Sequence, residues 1–230
     1  MHAVVTGSSS GIGAAVARRL LIDGWRVSGL DRAAPSVADE NFRAHAVDLS
    51  HADDLAAMLA PLLAAGPVHA LVHAAGVLRT APLGGLRTDD GELMWRLHVD
   101  AAAGLANAVL PALARAGPGR VVLIGSRIWP GMPGRSQYAA TKAALVSMAR
   151  SWAAEVVSRG VTVNVVSPAA TDTPMLADPA RANSAPRLPP IGRLIRPGEV
   201  ASLVAYLLGP EAAAITGQDI AVCGGASLPR

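Results

Sequence analysis

The chain has 230 residues, 51% of them apolar and 16% charged, a balance that excludes disorder and allows one large core. Its net charge of +3 is spread without a run of like charges, which argues against a nucleic-acid surface. One cysteine, Cys223, rules out an intrachain disulfide and fits a reducing compartment. The start runs from Met1-His2 directly into a strand pattern, without the features of a signal peptide, and no membrane span is predicted. The expectation is a cytoplasmic protein.

The first apolar run, 3–6, reads as a strand and leads into Thr6-Gly7-Ser8-Ser9-Ser10-Gly11-Ile12-Gly13, which opens a helix at 12–21. Glycines there let the backbone turn sharply and approach a pyrophosphate, and the helix start offers free N–H groups to it. A second strand, 26–30, ends at Asp31. A carboxylate at that point accepts hydrogen bonds from the adenosine ribose hydroxyls and repels a 2′-phosphate, which favours NAD. Arg32 follows, and its guanidinium suits a 2′-phosphate, so NADP stays open. After the third strand, 43–47, Asp48 can meet the adenine amino group or cap the helix at 53–63.

The fourth strand, 70–73, is followed by Ala74-Ala75-Gly76 and a long helical pattern over 91–114. His69 and His73 on a strand stand about 13 Å apart and cannot share a metal. The fifth strand, 120–124, runs into Ser126, and a helix is predicted over 137–158. A sixth strand at 162–166 precedes an irregular stretch, 171–190, with five prolines in twenty residues, which reads as a lid. A helix at 197–208 and a strand at 219–222 complete the pattern. Seven strands alternating with helices predict one α/β domain: a Rossmann-type, doubly wound parallel sheet covered on both faces.

The helix predicted over 137–158 carries Tyr138 and Lys142, one turn apart, and Lys142 is the only lysine among twenty basic residues. Lys is a compact ammonium whose charge burial tunes, unlike the fixed fork of Arg. A phenol with a pKa near 10 needs a drop of about 3 units, or about 4 kcal/mol, to work at pH 7. One cation about 4 Å away, at an effective dielectric of about 20, supplies roughly that.

Together these residues resemble the short-chain dehydrogenase/reductase family over essentially the whole chain. The shared marks are Thr-Gly-x3-Gly-x-Gly at Thr6–Gly13, His73-Ala74-Ala75-Gly76 after the fourth strand, Ser126, Tyr138-x3-Lys142, and Ser167-Pro168-Ala169 with Thr171 and Thr173. Ile215-Thr216-Gly217-Gln218 and Val222-Cys223-Gly224-Gly225 fit as well. The resemblance implies that Tyr138 exchanges the proton, Lys142 holds the nicotinamide ribose and Ser126 binds the substrate oxygen. It implies cofactor contacts from Gly7, Ser9, Ser10, Gly11, Ile12, Gly13, Asp31, Arg32, Asp48, Leu49, Ala74, Ala75, Gly76, Tyr138, Lys142, Pro168, Ala169, Thr171 and Thr173. The chain departs from the family at His73 and Ala74, at Ala169, and at His98 or Asp100, one of which stands where a catalytic Asn is usual. His98 is therefore a candidate relay residue.

An apolar substrate pocket is expected from Trp129, Pro130, Met132, His73, Leu78, Met175 and Leu176, with Arg127 placed to meet a substrate carboxylate. The leading reading is an NAD-dependent oxidoreductase of a secondary alcohol or ketone, without a metal and assembled as a homotetramer or homodimer. The rivals are an NADPH-dependent 3-oxoacyl-acyl-carrier-protein reductase and a nucleotide-binding scaffold without catalysis.

Overall fold

The computed structural model describes residues 1–178 and 187–229. Its sheet has seven strands: β1 (His2–Thr6), β2 (Arg26–Asp31), β3 (Phe42–Ala46), β4 (Ala70–His73), β5 (Arg120–Ile124), β6 (Thr162–Pro168) and β7 (Asp219–Val222). They lie in the order 3-2-1-4-5-6-7, with every pairing parallel. The helices between them are α1 (Gly11–Ile22), α2 (Ala52–Ala64), α3 (Thr88–Trp95), α4 (Ala101–Ala116), α5 (Ser136–Val156) and α6 (Pro197–Leu208). All seven strands and the five helical segments are therefore present, with ends shifted by a few residues.

The central strands are continuous apolar runs because both of their faces are covered. Alternate residues go to opposite sides. Val4, Leu71, Val121, Val163 and Val165 join the core under α2, α4 and α5. Ala3, Val5, Val72, Val122 and Val166 join the core under α1 and α6. Only β3, at one edge, is largely exposed. Strand order reverses between β1 and β4, and a crevice opens there at the carboxyl ends of the strands, the usual ligand position in such sheets.

The helix expected over 91–114 is not one regular helix. Between α3 and α4, Arg96–Asp100 wind as a π-turn. Such a turn admits one extra residue and is common at functional sites. Here it buries both His98 and Val99. The combined segment Thr88–Ala116 is also long and apolar enough by composition to cross a membrane, contrary to the expectation that no stretch qualifies. Half of its most apolar window is already buried within the fold, where α4 supplies Leu105, Val109 and Leu113 to the core.

Of the predicted lid, residues 171–178 and 187–190 are described, and 179–186 lie outside the described residues. Its first part forms a short 3-10 turn, Pro174–Ala177. Arg79, from the loop after β4, donates to Asp178 at 2.9 Å and lies 3.7 Å from Asp90. This ties the end of the turn to the far wall of the crevice.

Candidate active site

The crevice encloses about 1060 Å³ and is lined by the loops following β1 to β6. At one end, glycine is obligatory for steric reasons. A Cβ on Gly13 would lie 2.1 Å from the Gly7 carbonyl oxygen, and one on Gly7 would lie 2.9 Å from the Ala75 backbone. Gly7 and Gly11 also have φ of +66° and +52°. Ser10 precedes α1 without a side-chain cap, so the first N–H groups of the helix are left for an anion. This cradle fits the pyrophosphate of a dinucleotide.

Asp31 braces the cradle. One carboxylate oxygen accepts from the Ser9 N–H at 3.0 Å and the other from the Ala33 N–H at 2.9 Å. Ser9 is thus part of the frame and does not line the crevice, unlike Ser10, Gly11, Ile12 and Gly13. Arg32, Asp48 and Leu49 line the same end. Asp48 accepts from both the N–H and the hydroxyl of Ser50 through one oxygen, which holds its carboxyl below the usual range.

Thr6 joins the two halves. Its hydroxyl oxygen accepts from the Ala74 and Ala75 N–H groups, at 3.0 and 3.1 Å, and lies 3.0 Å from His73 Nδ1. With both acceptor positions used, the hydroxyl donates to Nδ1, which leaves the His73 proton on Nε2. His73 is 1% exposed, so it does not line a substrate pocket as expected. Burial and the nearby Lys142 push its pKa down to about 3, and the ring is neutral.

The other end holds Ser126, Tyr138 and Lys142, all buried and all lining the crevice. Ser126 follows β5, while α5 presents Tyr138 and Lys142 on its buried face. The Lys142 ammonium lies 5.7 Å from the centre of the Tyr138 ring and donates to the Ile124 carbonyl at 2.9 Å. Burial lowers its pKa to about 7. The Tyr138 ring packs with Leu78, Met94 and Ile128. His98 meets it edge-on, with ring centres 5.6 Å apart.

The π-turn delivers His98 to this centre, whereas Asp100 is exposed and does not line the crevice. His98 Nε2 accepts from the Val77 N–H at 3.0 Å. Its Nδ1 lies 2.8 Å from the Thr141 hydroxyl, which itself donates to the Tyr138 carbonyl at 2.8 Å. The imidazole therefore carries its proton on Nδ1. Burial, then Lys142 and His73, hold its pKa well below the ordinary value. Both nitrogens are engaged, so the ring ties the loop after β4 to α5 and has no free position from which to pass a proton. A Cβ at Gly76 would lie 3.0 Å from His98 Nε2, which explains the glycine there.

Leu78, Met132, Met175 and Leu176 line the crevice as expected, together with Pro168, Ala169, Thr171 and Thr173. Trp129 and Pro130 do not. The turn after Ser126, closed by the Trp129 N–H on the Ser126 carbonyl at 3.0 Å, swings the indole to the α5 side of the sheet. There its N–H donates to Asp219 of β7 at 2.6 Å, and the other Asp219 oxygen accepts from Ser167. A Cβ on Gly125 would lie 2.6 Å from the Ser167 hydroxyl oxygen, so this network packs directly behind Ser126. Replacing Asp219 with Ala strands two donors. We expect a loss of about 1–3 kcal/mol in thermal unfolding, and a rise in KM that exceeds any change in cofactor affinity.

Thr141 and Asp219 escaped the sequence reading because each acts through another side chain, and neither lies in a motif of fixed spacing.

A dinucleotide cradle joined to a buried serine, tyrosine and lysine defines a nicotinamide-nucleotide oxidoreductase of the Tyr–Lys type. The family model described as enoyl-(acyl carrier protein) reductase matches residues 7–227. The chain is 35% identical to the 3-oxoacyl-[acyl-carrier-protein] reductase FabG of Salmonella typhimurium, over 97% of this chain and 96% of that protein. It is 33% identical to the 4-formylbenzenesulfonate dehydrogenase TsaC1/TsaC2 of Comamonas testosteroni, over 98% and 97%. An actinorhodin polyketide ketoreductase variant, solved with NADPH, superposes with a TM-score of 0.88 at 29% identity, covering 99% of this chain and 97% of that one. The chain belongs to the short-chain dehydrogenase/reductase family.

Proposed function

We propose that the protein interconverts a small ketone and its secondary alcohol using NAD, with Tyr138 as the proton donor or acceptor. The observation that carries this reading is the buried Tyr138–Lys142 pair opening, beside Ser126, into the crevice that holds the glycine cradle. The bound nicotinamide supplies the hydride for reduction, or takes it up in oxidation. Ser126 donates a hydrogen bond to the substrate oxygen and stabilises the charge that develops on it. Tyr138 delivers the proton to that oxygen. Lys142, as a cation, lowers the cost of the phenolate left behind and donates to the nicotinamide ribose hydroxyls, which in turn favour its charged form. His98, locked between Val77 and Thr141, positions α5 and carries no proton in this scheme.

NAD is favoured by Asp31, which has no cationic side chain paired with it among the described residues. We expect wild type to prefer NADH over NADPH, and Asp31→Asn to lower that ratio of kcat/KM about 10- to 100-fold. A wild-type preference for NADPH would overturn the assignment.

The identity to FabG supports a second reading, reduction of a 3-oxoacyl group on a carrier protein with NADPH. The name of the Comamonas relative describes an aldehyde bearing a sulfonate, which supports a small anionic substrate instead. Consumption of NADH and NADPH across ketones and 3-oxoacyl thioesters separates these readings. Tight cofactor binding with no turnover of any substrate would favour the non-catalytic scaffold. A cytoplasmic homotetramer or homodimer packed through α5 completes the proposal, and light scattering of the purified protein tests its assembly.

A further inference from the structure

The charges along the crevice are unevenly divided. Its two acidic lining residues, Asp31 and Asp48, belong to the β2–β3 end together with Arg32, while Arg79, Arg127, Arg135, Lys142 and Arg187 line the rest. Arg79 is neutralised by Asp178 and Asp90, and Arg135 also has a partner. Arg127 is different. It immediately follows Ser126, is half-buried and lines the crevice. Among the described residues its guanidinium has no hydrogen bond or ion pair; only its backbone N–H is engaged, by the Pro168 carbonyl. Exposed Arg187 at the rim likewise has no partner among them.

Partly burying a guanidinium without an anion is unfavourable, because hydration is lost and nothing replaces it. The five donors of Arg match a carboxylate in a two-pronged arrangement, and such charge-assisted pairs are among the stronger hydrogen bonds. The adjacent Ser126 marks where the reacting oxygen sits, so an anion bound by Arg127 belongs to the same small molecule, a few bonds from the reacting carbon. A carrier protein would instead meet its basic residues at the rim.

Resting on the oxidoreductase reading above, we propose that the substrate is an oxo acid or its hydroxy acid, with its carboxylate held by Arg127. The apolar part between the two groups packs on Leu78, Met132 and Met175.

Binding and turnover test this separately. Butanoate and benzoate are titrated, alongside their methyl esters, into the enzyme with reduced cofactor bound, and the cofactor fluorescence is read. We expect the carboxylates to bind about 10- to 100-fold more tightly than the esters. Arg127→Met should bring the ratio close to one, and Arg127→Lys should restore part of it, with cofactor binding confirming that both variants are folded. In turnover, 3- and 4-oxo acids should exceed their methyl esters in kcat/KM by a similar factor. Equal binding of acids and esters would overturn the proposal, as would an acid preference that survives Arg127→Met, or turnover confined to acyl-carrier thioesters. Preferential, Arg127-dependent binding of acids without turnover of any substrate would support the anion site and sink the oxidoreductase reading instead.

Discussion

Tyr138→Phe is expected to lower kcat by about 10²–10⁴-fold while leaving cofactor affinity within about threefold. The substitution deletes one oxygen and keeps the ring. That ring packs with Leu78, Met94 and Ile128 and meets His98 edge-on, contacts a phenyl group also makes. The main-chain carbonyl of residue 138 still accepts from Thr141, so the link through Thr141 to His98 and the loop after β4 persists. What the substitution removes is the hydroxyl proposed to exchange a proton with the substrate oxygen. Stopped-flow binding of reduced cofactor and steady-state turnover, measured on the same preparation, check the split. Activity within tenfold of wild type would remove Tyr138 from the proton step.

Lys142→Met is expected to abolish activity and yet stabilise the cofactor-free protein at acidic and neutral pH. Lys142 is 4% exposed, and burial lowers its pKa from 10.5 to about 7. Below about pH 7 the ammonium is charged in both folded and unfolded chains, so the folded state bears the full cost of burying it. Between about 7 and 10.5 the unfolded chain holds a proton that the folded chain has released, and wild-type stability rises with pH across that window. Above it the cost is gone. Methionine has a similar shape and no charge, so its advantage should be largest below pH 7, a few kcal/mol, and should fade towards pH 10. The Ile124 carbonyl loses its donor in the variant, which subtracts about 1–3 kcal/mol throughout. At about 2–4 °C per kcal/mol for a chain of this size, the pH dependence is readable by thermal unfolding at pH 6 and pH 9.5. A variant less stable than wild type by the same amount at both values would contradict it. Saturating cofactor should raise the wild-type Tm by more than that of the variant, because Lys142 is assigned to the ribose.

The lone lysine, the glycine run and the alternation of apolar runs with helical spacing made the fold and the main centre legible in advance. Each reports a local requirement: a buried strand is apolar on both faces, and a residue such as Gly13 has no room for a Cβ. What escaped depends on direction over distance. Helical spacing gave no sign of the one extra residue at Arg96–Asp100, although that turn is what carries His98 inward. Trp129 was expected in the substrate pocket because it follows Ser126, yet Asp219, ninety residues later, draws its indole away. His73 was expected at the same pocket, but it sits at the buried end of β4, under Thr6.

The Asp219 tether also bears on when the site can form during synthesis. Ser126 and Tyr138 emerge early, but the carboxylate that holds Trp129 and Ser167 behind them lies on the last strand of the sheet. A nascent chain in which β1 to β6 have already collapsed therefore still lacks the brace at its reacting centre. A chain cut short before residue 219 should fold loosely around the cradle and show cofactor affinity without turnover, and the order of translation is then expected to hold back catalysis until the sheet is whole.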